Sequence, residues 1–502
     1  MEPIFTVPAH PNIILITGHA MVTRPHTRRD TRWHFPSILL IEYWFTSHSS
    51  PSLFLPIGPS SLLRIRQSKT TKSPSQTRIF NMALSRLLCA AGVTLSLLAS
   101  SGHAAPADRM SPMMGRDLKL TEGDAKIRGV NLGGWLLLEP WITPSIFEAT
   151  PDSVVDEYTM GKVMGKDEAT KRLQKHWSSF ITEGDFHDIA AKGLNFVRIP
   201  IGYWAITPLD GDPYSQGAYE YLGQALDWAR SASLKVMIDL HGAPGSQNGL
   251  DNSGQRGGIG WLKGDTVPQT IKALEKIRDD HAAHPAVAAI ELLNEPMGPK
   301  IDMGAVKSFM DQGYQSLAGS NVNVAFHDAF QGPAAWNDWG NDKSNLLLDT
   351  HHYEVFDIGQ LHMDVHAHIG SACGFGQQMA SSNKKTINGE WCGAMTDCAY
   401  WLNGRGVGAR WDGTFNYEGQ GSYYIGSCDG ARRRGNIEQI QGQDRANLRD
   451  FINAQMVAYE KADGWIFWTW KTESAPEWDY RALANAGVIP VPPNPYNPNI
   501  CG

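Results

Sequence analysis

From residue 126 onward, short apolar runs recur along the chain, separated by longer stretches of helical period. The runs are KIRGVN (126–131), NFVRIPI (195–201), KVMIDLH (235–241), AAIELLNE (288–295), NVNVAFHD (321–328), NLLLDTHHY (345–353), KTINGEW (385–391) and GWIFWTW (464–470). Most are apolar at consecutive positions rather than alternate ones, which fits strands of a parallel sheet covered on both faces. The segment ITEGDFHDIAAKG shows what lies between them. Thr182 and Asp185 offer capping chemistry, Ile189 and Ala190 face inward, and Gly193 stops the helix just before the next run. Eight such units follow one another with no Gly-, Pro- or Ser-rich linker, so the pattern predicts an α/β fold: one (β/α)8 TIM barrel with enlarged loops, a single catalytic domain over residues 105–502. An open doubly wound sheet fits less well, because no Gly-x-Gly-x-x-Gly follows the first run.

Nearly every run ends in polar or aromatic residues that a buried strand does not need. These are Arg198, Asp239 with His241, Asn294 with Glu295, His327 with Asp328, His351 with Tyr353, Glu390 with Trp391, and Trp468 with Trp470. In such a barrel the C-terminal strand ends share one face, which carries the catalytic groups. Two of them supply a Glu. Opposed carboxylates across a barrel mouth suit cleavage of a glycosidic bond, where one group donates a proton and the other attacks the anomeric carbon or activates water. On sequence alone, Glu295 follows an aliphatic strand and is expected to be raised by desolvation and to stay protonated as the acid. Glu390 is expected to be held ionised by Arg198 and Tyr353.

The N-terminal stretch changes the picture of what the mature chain is. Residues 1–81 are rich in Ser, Thr, Pro and Arg without sustained periodicity, and read as disordered or as mistakenly translated upstream sequence. MALSRLLCAAGVTLSLLASSGHAAP then places Arg86 before an apolar stretch and small residues after it, which reads as a secretory signal peptide over 82–104 with cleavage after Ala104. The apolar run is too short for a membrane span. The remaining chain carries about −14 net charge, from 34 Lys and Arg against 48 Asp and Glu, which argues against nucleic acid as a partner. Its five cysteines (Cys373, Cys392, Cys398, Cys428 and Cys501) are an odd number in an exported protein, so at least one thiol is free or intermolecular. No Cys-x-x-Cys or His-Glu-x-x-His occurs, and neither metal nor cofactor is expected.

Tryptophans gather near the strand ends and loops, where flat rings can stack on sugar C–H faces. Alternation turns Trp468 toward the barrel interior, with Phe467 and Thr469 facing out. Taken together, RGVNLGGWLLLEPWITPSIFE, GLNFVRIPIGYWA, IDLHGAPGSQNGLDNSG, LLNEP, DTHHYEVF, GEWCGAMTDCAYWLNG and WIFWTWKTESAPEW resemble glycoside hydrolase family 5, and within it the fungal secreted exo-β-1,3-glucanases.

That resemblance implies Glu295 as acid/base and Glu390 as nucleophile of a retaining mechanism. It further implies that Arg198 and Tyr353 position Glu390, and that Asn294 bonds the sugar 2-hydroxyl. His241 and His351 would line the same subsite, Trp468 would form its floor, and Glu139 and Asp251 would hold the terminal glucose. Phe356 would flank the leaving sugar, opposite Leu250, where relatives often carry a second phenylalanine. The resemblance also pairs Cys373 with Cys501 and Cys398 with Cys428, leaving Cys392 free. The expected protein is a secreted monomer of the extracellular space or cell wall acting on β-glucan. A family 5 glucanase of other linkage (β-1,6, or endo-acting) and a catalytically silent glucan-binding wall protein are the alternatives.

Overall fold

The eight apolar runs become eight parallel strands: β1 (Ile127–Asn131), β2 (Phe196–Gly202), β3 (Lys235–Gly242), β4 (Val287–Glu291), β5 (Asn323–His327), β6 (Leu346–His351), β7 (Lys385–Glu390) and β8 (Gly464–Phe467). Each pairs with its neighbours in sequence, and β8 returns to β1, closing the barrel. The computed structural model describes residues 120, 121 and 125–502. The upstream segment, the signal peptide and the cleavage point at Ala104 lie outside the described residues.

Helices cover most crossovers, among them Glu183–Ala191, Ala218–Ser231, Thr266–His281, Met303–Ser316, Val365–Ala380 and Gly442–Tyr459. The first of these begins with the expected capping box between Thr182 and Asp185 and is followed by Gly193 at φ +81°. The strict alternation fails once. Between β5 and β6 there is only the 3-10 turn Pro333–Trp336, because the connecting AFQGPAAWNDWGNDKSN is short and rich in Gly, Pro and Asn. Trp336, edge-on, and Trp339, tilted, instead close that side of the barrel against Phe326.

The barrel's lower interior is an apolar plug to which every strand contributes: Ile127, Phe196, Met237, Ala289, Ala325, Leu347, Ile387 and Ile466. Side chains alternate along a strand, so the residue two positions further on faces the same interior one layer higher. For five strands that residue is Arg198, Asp239, Glu291, His327 or Asp349, each fully buried. The barrel is therefore dry below and charged above. Gly389 leaves room for this layer, since a Cβ there would fall 2.1 Å from the Asp349 carboxylate.

The enlarged loops are present, the largest joining β7 to the helix Gly442–Tyr459. Cys398–Cys428 closes a 30-residue span within it, and Cys373–Cys501 ties the helix Val365–Ala380 to the chain end. Cys392 is free and buried. All three cysteine assignments match the expectation. Among the described residues, no helix is long and apolar enough to cross a membrane.

Candidate active site

Arg198 sits third in the seven residues of β2, inside the barrel rather than at the strand end that its position in the sequence suggested. Four carboxylates surround its guanidinium: Glu291 at 2.8 Å, Glu390 at 2.9 Å, Asp239 at 3.1 Å and Asp349 at 3.7 Å. Arg198 also donates to Asn131 Oδ1 and Asn294 Oδ1. One cation cannot offset four buried anions. Burial accordingly pushes Asp239 up to about 7 and Glu291 to about 8, against the pull of Arg198, so these two hold protons into the neutral range. Arg198→Met should cost about 3–5 kcal/mol, because it strands the acids it serves. Acids whose folded pKa is raised lose stability as pH climbs above their unfolded value. The penalty should therefore be small near pH 5 and grow toward pH 8 in denaturant titrations; a loss independent of pH would contradict this account.

Glu390 reaches the interior face through an irregularity in register, where Thr350 pairs with Asn388 but His351 pairs with Glu390. Both of its oxygens are held, Oε1 by Arg198 Nη1 and Oε2 by the Tyr353 hydroxyl at 2.9 Å. Glu295 lies four residues beyond the end of β4, not on the strand. Its backbone is left-handed at φ +45°, a conformation costing about 1–3 kcal/mol that the surroundings must hold in place. Asn252 Nδ2 donates to its Oε2 at 3.0 Å.

His351 joins the two acids. Its Nδ1 donates to Glu295 Oε1 at 2.8 Å and stands 3.5 Å from Glu390 Oε2, so these oxygens are no more than 6.3 Å apart. Burial works against charge on His351, but Glu390, Asp349 and Glu295 together hold its pKa well above the ordinary value. The sequence expectation for the two glutamates is thereby reversed. Burial raises Glu295, yet the bond and charge of His351 outweigh it and leave Glu295 below its usual range. Glu390 remains raised, because burial and Glu295 exceed the pull of His351 and Arg198.

Around these groups opens a cavity of about 340 Å³. Of the predicted residues, Glu139, Asp251, Glu295, Tyr353, Phe356, Glu390 and Trp468 form its wall, and Leu250 does too. Arg198, His241, Asn294 and His351 are not on the wall but bonded to it or to one another from behind. His241 bonds Asp239 through Nδ1 at 2.6 Å, meets the Asn294 amide through Nε2 at 3.3 Å, and stacks on Trp468. Burial brings it down to about 3, so it is neutral. Thr469 is buried and bridges to the end of β1, its hydroxyl donating to the Asn131 carbonyl and accepting the Gly133 N–H. Trp391 and Trp470 belong to the core.

Glu139 Oε1 and Asp251 Oδ2 are buried without a protein partner, in two residues that line the cavity. Burial raises both, Glu139 well above its usual range and Asp251 to about 7. Glu295, His327 and His351 bring possible ligand atoms within 4.8 Å of one another. His351 Nδ1 is engaged by Glu295 and His327 Nδ1 accepts the Ala329 N–H, while His327 Nε2 has no protein partner. Sequence reasoning missed Glu291, Asp349, Asn252, Trp141 and Trp478. The first two had a legible signal: an acid inside an aliphatic run needs a buried partner.

Residues 162–404 match the family model described as "Cellulase (glycosyl hydrolase family 5)". The chain is 49% identical over 388 residues to a glucan 1,3-beta-glucosidase of Blumeria graminis, covering 76% of this chain and 90% of that one. It is 50% identical over 379 residues to glucan 1,3-beta-glucosidase 2 of Wickerhamomyces anomalus, covering 73% and 88%. Among solved structures, a rutinosidase from Aspergillus niger superposes with a TM-score of 0.57 at 19% identity, over 74% of this chain and 99% of that one, a likeness of fold. Near-half identity across most of both sequences goes far beyond a shared barrel, and the chain therefore belongs to glycosyl hydrolase family 5.

Proposed function

We propose that this chain is a secreted, retaining exo-acting glucan 1,3-β-glucosidase that releases glucose from the non-reducing end of β-1,3-glucan. The observation that carries the reading is the single His351 nitrogen shared by Glu295 and Glu390, in a family whose half-identical members bear that activity in their names. Separations of ~5–5.5 Å between the carboxyls suit retention, whereas inversion needs ~6.5–9.5 Å to admit a water.

In the first step Glu390 attacks the anomeric carbon while Glu295 protonates the departing glycosidic oxygen. This gives a glucosyl ester of Glu390 and an ionised Glu295. In the second step Glu295 takes a proton from water, whose oxygen attacks the same carbon and releases β-glucose. Arg198 and Tyr353 aim Glu390. Glu139 and Asp251, in the cavity wall, receive hydroxyls of the terminal sugar. The acid's proton resides on His351 in the resting site, one hydrogen bond from Glu295 Oε1, and a shift along that bond arms the acid.

His351 therefore sets the pH response. In kcat/KM, which reports the free enzyme, the alkaline limb is loss of the proton that His351 and Glu295 share, and the acid limb is protonation of Glu390. His351→Gln keeps an amide beside Glu295 but removes the charge. The alkaline limb should then fall to the pKa of Glu295 alone, and the acid limb should rise because Glu390 loses a cation. A narrowed bell is the expected profile; unchanged limbs would count against the shared proton.

Product analysis on laminarin, with pustulan and cellulose alongside, tests the whole reading. Glucose should be the first small product, as the β-anomer by NMR, fastest from laminarin. Oligosaccharides appearing first would make the enzyme endo-acting, and α-glucose would make it inverting.

A further inference from the structure

The cavity mouth is unusually rich in exposed apolar side chains. Among the described residues few large ones are left in solvent, and Leu250, Phe330 and Phe356 of these border the cavity. Tyr423 and Tyr424, at 58% and 67% exposed, stand on the β7–β8 loop, which also sends Phe415 and Tyr417 into the cavity wall. Single exposed rings need no explanation, but a cluster continuous with a binding cavity does.

The loop around these tyrosines is fixed from two sides. Asn416–Tyr417 and Gln420–Gly421 form a hairpin whose Glu418 pairs with Lys300 at 3.7 Å, on the loop after β4 that carries Met297 into the cavity wall. On the other side the Tyr423 hydroxyl bonds His362 Nε2 at 3.0 Å, and the two rings stack at 26°. His362 follows Phe356 on the loop after β6. The tether leaves Tyr423 a flat, exposed face already held in place, which lowers the entropy lost when a ligand stacks on it.

We propose that Tyr423, braced by His362, is a stacking platform for glucose rings of the departing glucan chain, beyond the sugar next to the cleaved bond. This rests on the β-glucanase reading above. Pyranose C–H faces suit such a ring, and His362 ties Tyr423 to the loop that carries Phe356 at the cavity wall.

The test is kcat/KM along the β-1,3-gluco-oligosaccharide series from disaccharide to heptasaccharide, for wild type, Tyr423→Ala, Tyr423→Phe and His362→Ala. In wild type kcat/KM should rise with length. Tyr423→Ala should flatten that rise, with a loss of about 3- to 10-fold on the longest member relative to the shortest. Tyr423→Phe should keep the rise, because the ring face remains, and His362→Ala should weaken it in part. A loss equal at every length, or none, overturns the platform. Should wild type cleave β-1,6 and not β-1,3 chains, the proposed linkage falls, and the same length series on β-1,6 oligomers still decides for or against the platform.

Discussion

Glu390→Ala should lower kcat on β-1,3-glucan by on the order of 10⁴-fold or more, the scale seen when a covalent nucleophile is removed. The protein should nevertheless melt no lower than wild type. Glu390 is one of four acids on Arg198, and its pKa is raised, so its ionised form costs stability at neutral pH. Removing it leaves Asp239, Glu291 and Asp349 as partners of the guanidinium. The vacated space also gives a chemical readout. Azide entering from the side of residue 390 should restore turnover on an activated aryl β-glucoside and yield the α-glucosyl azide, a single displacement with inversion. In the wild type a 2-fluoro glucoside should become esterified to Glu390. Label on another residue, or a variant that retains hydrolysis, would refute the role.

The barrel and its two glutamates were legible in the sequence because both follow from local pattern. Eight apolar runs predict a closed parallel sheet, and the polar residues after them predict where its mouth lies. What the pattern could not show was depth. Arg198, Asp239, Glu291 and Asp349 sit two positions above the apolar plug, and that layer appears only when the strands are set in register. The bulge that turns Glu390 inward and the left-handed backbone at Glu295 are likewise products of closure, invisible to alternation. The pKa expectation failed for the same reason. Desolvation alone favours a protonated Glu295, but the bond and charge of His351, on another strand, lower it; for Glu390 burial exceeds the pull of Arg198 on which the expectation rested.

Glu295→Ala should lower kcat/KM on β-1,3-glucan by roughly 10²- to 10⁴-fold, the usual share of general acid catalysis. The loss should be much smaller for a 2,4-dinitrophenyl β-glucoside. The glucan's leaving sugar is a poor anion and must be protonated as the bond breaks, whereas dinitrophenolate departs unaided. With such a substrate formation of the glucosyl ester stays fast, while its hydrolysis, which needs Glu295 as base, becomes slow. Stopped-flow should therefore show a burst of phenolate followed by a slow steady state. The alkaline limb should vanish from kcat/KM on this substrate, since no acid is needed in the step it reports. Alanine inherits the strained backbone at φ +45°, so Glu295→Gln, which keeps a side chain between His351 and Asn252, serves as the second variant. Azide added to either should accelerate the second step and give β-glucosyl azide, opposite in configuration to the product of the Glu390 variant. Equal losses on both substrates would assign Glu295 to binding or structure, and would leave the protonation of the leaving oxygen to some other group.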